Sequence, residues 1–366
     1  MPKKPTEVQE TPVSSAAIPL LSPDLDASLA NWLSKDAILV WQAGCTLNSL
    51  TPVSASEPLS SASMPQHAST HAPKCMLRCW GAAFNLPLLQ QLLDLLAAAV
   101  PGISAQLALH QPHPALCGAV SLGLSATLPP ALISTLRQWA QTHDIELNVL
   151  TQPVLLSAPG VLVMDMDSTA ITIECIDEIA KLAGVGGQVA AVTARAMNGE
   201  LDFAQSLRQR VATLKDAPDS ILKQVLDAVP LMPGLETLVA CLQQHQWQVV
   251  IASGGFTYFT EALKQRLKLT ATFANQLEII DGKLTGQVLG AVVDAQTKAE
   301  VVQQIARQYQ IPPRQTVAIG DGANDLPMLA EAALGVAFHA KAKVQAQAKA
   351  AIRQGSLLQL LYLLDN

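Results

Sequence analysis

Val161-Leu162-Val163-Met164-Asp165-Met166-Asp167-Ser168-Thr169 is the stretch on which the rest of the chain turns. An apolar run that ends in two aspartates at i and i+2 predicts a buried strand whose carboxyl end delivers both side chains to the same side. Neighbouring carboxylates repel, so their proton affinities separate: one can stay ionised as a nucleophile while the other holds a proton for general-acid work. A divalent cation nearby would keep the first ionised. The competing reading is an Asp-rich turn capping a helix that starts near Ile171, with Ser168 or Thr169 as N-cap.

Two more strands end in the same manner. Gln248 to Ala252 runs into Ser253-Gly254-Gly255, and Thr316 to Ile319 runs into Gly320-Asp321-Gly322-Ala323-Asn324-Asp325. Strands alternating with helices from Pro159 onward predict a doubly wound α/β sheet. Ligands of such sheets bind outside the carboxyl ends of the strands, so the three termini should share one crevice. The helical stretch from about 176 to 229 is too long for a simple crossover and is expected to form a cap inserted over that crevice. Leu277 to Gly290 reads as a hairpin, because Asp281-Gly282 separates two strand-like runs.

Working back toward the start, residues 76–155 show the order β-α-β-β-α-β, with strands expected at Met76–Phe84, Ile103–Leu109, Leu116–Leu124 and Ile145–Leu150 and helices at Pro87–Val100 and Pro129–Thr142. That is a ferredoxin-like α+β arrangement, a fold that hosts many functions. His110 and His113 flank Pro112 there and are read as surface residues. Residues 1–75 are rich in Ser, Pro, Thr and Ala. A structured island is expected from Leu25 to Gln42, and a poorly ordered linker from Thr46 to Pro73.

Composition narrows the function classes. The 366 residues are half hydrophobic and only 14% charged, enough for large cores in two or three domains. With 23 basic residues against 29 acidic ones and no basic stripe, nucleic acid is not expected as a partner. No apolar run reaches the roughly 18 residues of a membrane span, and the polar start after Met1-Pro2-Lys3-Lys4-Pro5 argues against a secretory signal. A cytoplasmic setting follows, with the six scattered cysteines as free thiols. Cys75 and Cys79 lack the second pair that a zinc site would need.

Asp165-Met166-Asp167-Ser168-Thr169, Ser253-Gly254-Gly255, Lys298 and Gly320-Asp321-Gly322-Ala323-Asn324-Asp325, in that order, resemble the four motifs of the haloacid dehalogenase (HAD) superfamily. Glu174-Cys175-Ile176-Asp177-Glu178-Ile179, Gly199-Glu200-Leu201-Asp202-Phe203 and Ser206-Leu207-Arg208-Gln209-Arg210-Val211 narrow the resemblance to its phosphoserine phosphatases. It runs from about Pro159 to the last residue and implies a HAD-type sheet with a helical cap over a domain of residues 156–366; residues 76–155 resemble ACT domains in architecture only.

The resemblance implies Mg²⁺-dependent hydrolysis of O-phospho-L-serine, the last step of serine biosynthesis. Asp165 would be the nucleophile and Asp167 the general acid and base. Metal would be held by Asp165, Asp321 and the backbone carbonyl of Asp167, with Asp325 orienting that shell. Ser253, Gly254, Lys298 and Asn324 would bind phosphate, Glu174 the substrate ammonium and Arg210 its carboxylate. Arg208, two residues away on a helix, cannot share that face; Met197 and Phe203 would line an apolar lid. Another small-ester HAD phosphatase differs from this only at Glu174 and Arg210. An amino-acid sensor without enzymatic activity would not need the nucleophile, lysine and metal aspartates. Whether the ACT-like region binds an amino acid, makes a homodimer or does neither is open.

Overall fold

The computed structural model describes residues 27–33, 37–47, 50, 52–54 and 72–365. The first part contains α1 (Ala27–Trp32), β1 (Ala37–Gln42), β2 (Pro52–Ser54), β3 (Cys75–Trp80), α2 (Leu86–Ala99), β4 (Ser104–His110), β5 (Ala119–Leu124), α3 (Pro130–Thr142) and β6 (Glu146–Leu150). Its strands form one antiparallel sheet in the order β2-β1-β4-β5-β3-β6. Helix α2 shows why the local sequence folds as it does. Asn85 caps it by accepting from Leu88 N at 3.0 Å, Pro87 sits in the first turn, and Leu89, Leu92, Leu93 and Leu96 make one buried stripe.

Two expectations fail in this part. Pro52–Ser54 lie inside the expected linker, yet their backbone pairs with β1 and lengthens the sheet beyond β4; most of the remaining expectation for residues 1–75 falls outside the described residues. His110 is not a surface residue: it is buried, and desolvation, then the charge of Arg78, push its pKa down to about 3.

The second part begins with β7 (Val161–Met164) and continues through the cap helices α4 (Cys175–Leu182), α5 (Gly186–Met197), α6 (Phe203–Ala212) and α7 (Ser220–Ala228). After α8 (Leu235–Gln244) come β8 (Gln248–Phe256), α9 (Thr257–Leu267), β9 (Ala271–Ile280), β10 (Lys283–Leu289) and α10 (Ala295–Gln308). The chain closes with β11 (Thr316–Gly320), α11 (Leu326–Glu331), β12 (Leu334–Phe338), α12 (Ala342–Gln345) and β13 (Ala350–Ile352). The sheet order is β10-β9-β8-β7-β11-β12-β13, parallel except for the β9–β10 hairpin. Asp281 and Gly282 turn that hairpin with φ of 51° and 72°, the paired positive values of a type I′ turn.

The period-2 rule separates the two faces of the parallel sheet. Leu162, Met164, Val249, Ile251, Val317 and Ile319 face one core, while Val161, Val163, Val250, Ala252 and Ala318 face the other. The first core extends into the antiparallel part through Trp80, Leu116 and Leu150. Polar bonds reinforce that junction. The Asn148 amide bonds both backbone groups of Ala351 at 2.8 and 2.9 Å, and Glu146 pairs with Arg353 at 3.2 Å. Arg78, almost wholly buried, donates to Ser121 Oγ, the Tyr362 carbonyl and Asp365. Cys75 and Cys79 are buried, and no disulfide joins the described cysteines. No helix among the described residues is long and apolar enough to cross a membrane.

Candidate active site

The carboxyl edge of the parallel sheet gathers the residues singled out above. β7 stops at Asp165, whose Oδ1 accepts from Met166 N at 2.7 Å. The following residues do not begin a helix near Ile171. Residues 166–170 make a tight turn in which Ser168 takes φ 55°, a left-handed value that is uncommon for a residue other than glycine. Helix α4 starts only at Cys175, and Asp167 Oδ1 accepts from Cys175 N at 3.2 Å. The DxD segment therefore turns Asp165 inward and Asp167 toward the cap.

Lys298 arrives from α10, whose N-cap Asp294 accepts from Thr297 N at 2.9 Å. Its ammonium is 1% exposed and lies 2.7 Å from Asp165 Oδ2 and 2.8 Å from Asp325 Oδ1. Burial works against that charge, but Asp165 and Asp325 outweigh it and raise the lysine's pKa. The other oxygen of Asp325 accepts from Gly322 N at 3.0 Å, so both are engaged and Asp325 braces the loop after β11. Asp321, on that loop, accepts from Thr169 Oγ1 at 3.4 Å.

Negative charge exceeds positive here. Burial, and then Asp325, raise Asp165 well above the usual carboxylate range while Lys298 opposes them. Burial and Asp325 push Asp321 up to about 6. Burial and then Glu174 lift Asp167 to about 7, where a carboxyl can both give and take a proton near neutrality. Asp165, Asp321 and Asp325 each offer an oxygen within 4.8 Å of the others. A set of hard oxygen donors carrying surplus negative charge suits a small divalent cation such as Mg²⁺. The side chain of Asp167 is not in that group.

On β8, Ser253 is 1% exposed and its Oγ accepts from Gly255 N at 2.9 Å. A Cβ on Gly254 would fall 2.6 Å from Phe203 Cζ, so only glycine lets the cap ring close onto this strand end. Asn324 is exposed, with Nδ2 3.5 Å from Asp325 Oδ1. Glu174 Oε1 accepts from Ser168 Oγ at 2.8 Å. Arg210 is half-buried and its charge is felt by Asp177, Glu174 and Asp167, whereas Arg208 is exposed. Met197, the last residue of α5, is 75% exposed and so is not part of a packed apolar cover.

Two contributors carried no assignment at the level of sequence. Thr169 was visible as part of the motif, but its bond to Asp321 crosses 152 residues. Asn275 carried no signal of its own, since it precedes the expected hairpin and stands beside a second amide, Gln276; it is 1% exposed and bonds the Gly254 and Gly255 carbonyls.

Residues 160–333 match the haloacid dehalogenase-like hydrolase family. The chain is 62% identical over 202 residues to a phosphoserine phosphatase of Vibrio cholerae, covering 55% of this chain and 62% of that one, and so spans less than two thirds of that relative. It is 58% identical over 226 residues to a phosphoserine phosphatase of Haemophilus influenzae, covering 61% of this chain and 72% of the relative. The crystal structure of a probable phosphoserine phosphatase from Vibrio cholerae, in unliganded form, superposes with a TM-score of 0.65 at 45% identity, covering 80% of this chain and 86% of that one.

Proposed function

The chain belongs to the phosphoserine phosphatases of the haloacid dehalogenase-like hydrolases, and from that premise we propose how its own residues hydrolyse O-phospho-L-serine to serine and phosphate. The observation that carries the proposal is the buried Lys298 held between Asp165 and Asp325, with Asp321 completing a cluster of oxygens within 4.8 Å.

Asp165 attacks phosphorus, and the bond to the serine oxygen breaks as Asp167 gives that oxygen its proton. The pKa of about 7 lets Asp167 carry the proton at neutral pH. Asp167, now a carboxylate, takes a proton from water; the resulting hydroxide displaces the Asp165 carboxylate and frees phosphate. Dividing the reaction through an aspartyl-phosphate replaces one very slow step by two easier ones. Lys298 and the Ser253 hydroxyl would meet charge on the transferring oxygens.

Asp165, Asp321 and the Asp167 carbonyl would hold Mg²⁺, which supplies charge neutralisation when bound. Gly254 and Asn324 would add contacts to phosphate. Glu174 would meet the substrate ammonium, and Arg210 its carboxylate. Residues 76–155 would form an ACT-like unit beside the phosphatase unit 156–366, and the enzyme would act in the cytoplasm.

A panel of small phosphomonoesters, assayed for phosphate release after EDTA treatment with and without added Mg²⁺, tests the proposal. Phosphoserine should be the preferred ester, and turnover should vanish without metal and return with Mg²⁺. Full activity in the metal-free protein, or no preference for phosphoserine, would overturn it.

A further inference from the structure

Between Ala252 and Phe256 the parallel register of β8 on β9 breaks, and Ser253-Gly254-Gly255 lies in the break. Peptide groups that leave a ladder need other partners when they are buried. Asn275, the β9 residue that pairs with Phe256, supplies them from its side chain. Its Nδ2 donates to the Gly254 carbonyl at 2.8 Å and to the Gly255 carbonyl at 3.3 Å, and its Oδ1 accepts from Val293 N at 2.8 Å.

Each end of this bridge leads to the site. The Gly254 carbonyl shares a peptide plane with the Gly255 N–H, which donates to Ser253 Oγ at 2.9 Å. With that oxygen already accepting, the hydroxyl proton of Ser253 is free to be donated into the crevice. At the other end, Val293 precedes Asp294, the N-cap of the helix that carries Lys298. One planar amide thus holds the peptide that aims Ser253 and the entry to the helix that aims Lys298.

We propose that Asn275 is a positioning residue for phosphate recognition, holding Ser253 and Lys298 in fixed relation through the Gly254–Gly255 peptide and Val293. The proposal rests on the phosphatase function given above. An amide is required because the bridge needs a donor and an acceptor on one short rigid group. Aspartate would keep the acceptor for Val293 but face two carbonyls with no proton to give; leucine would offer neither.

The test is a double-mutant cycle on the full chain with Mg²⁺, using Asn275→Asp, Ser253→Ala and the pair. The readouts are kcat/KM on phosphoserine and on p-nitrophenyl phosphate, and inhibition by inorganic phosphate. Asn275→Asp should lower kcat/KM about tenfold or more on both esters, since they share only the phosphate, and weaken phosphate inhibition by a similar factor. In the Ser253→Ala background the same change should cost less than about threefold, because its effect passes through the missing hydroxyl. Wild-type kinetics in Asn275→Asp, or full multiplicative loss in the pair, would overturn the proposal. Should the aspartate variant fail to fold, Asn275→Ala takes its place; because it also removes the acceptor for Val293, its cost should shrink in the Ser253→Ala background without vanishing, and an undiminished cost there would overturn the proposal. Inactivity of the wild-type protein on both esters would instead refute the phosphatase function itself.

Discussion

Replacing Arg210 by alanine should separate recognition of the amino-acid part of the substrate from recognition of its phosphate. Arg210 lies on α6 with a half-buried guanidinium whose Nε has no hydrogen-bond partner among the described residues. Burial pulls its pKa down, and Asp177, Glu174 and Asp167 push back, so the charge is retained in a place where water is scarce. A buried donor left unpaired costs about 1–3 kcal/mol. An arriving carboxylate removes that penalty and forms a charge-assisted bond worth roughly 1.5–3 kcal/mol, or about ten- to a hundredfold in affinity. Arg210→Ala should therefore raise KM for phosphoserine by about that factor. It should change KM for p-nitrophenyl phosphate, which has no carboxylate, by less than about threefold. Arg208→Ala is the internal control, because Arg208 is exposed. If Arg208→Ala is the selective variant, or neither variant tells the two esters apart, the assignment of Arg210 to the carboxylate is wrong.

Asp165→Asn should abolish turnover and covalent labelling together, since it removes the carboxylate assigned as nucleophile; intact-mass and peptide mapping of substrate-quenched protein should place the adduct on Asp165, and an adduct on Ser168 or Ser253 would refute the mechanism. Asp167→Asn should still form some trappable phosphoenzyme, because the lost acid chiefly assists departure of the alcohol and attack by water. His110 supplies a stability test far from the chemistry. Folded, it stays neutral down to about pH 3, while in the unfolded chain it titrates near 6.5. Between those values the unfolded state binds more protons, so this contribution is complete above about pH 6.5 and is lost as pH falls, amounting to about 2 kcal/mol at pH 5. Urea denaturation at pH 7 and pH 5 should show His110→Gln losing about that much less on acidification than the wild type, and equal losses would contradict the burial of a neutral imidazole.

Much of the framework was legible before any coordinates. Val161–Met164 is apolar at every position, which suits a strand covered on both faces, and the two aspartates after it mark a strand end that meets solvent or ligand. The Asp281-Gly282 turn was equally plain, since few residue pairs accept two positive φ values. Lys298 and Asp325 were legible only as members of ordered motifs. Their contact with each other and with Asp165 joins β7, α10 and the turn after β11, and no local pattern encodes a bond between residues so far apart.

What tertiary structure alone decided follows from the same physics. Periodicity tells which face of an element is apolar but not what covers it, so His110 read as a loop residue although the C-terminal part packs over it. Met197 read as a lid residue, yet it is left 75% exposed with nothing packed over it. Composition marked residues 46–73 as a linker, but an open edge at β1 provides backbone partners that Pro52–Ser54 can use whatever their side chains. Asn275 makes the same point at the site: an amide in a strand is locally unfavourable, and it becomes favourable only where two glycine carbonyls and the Val293 amide, from two separate segments, converge on it.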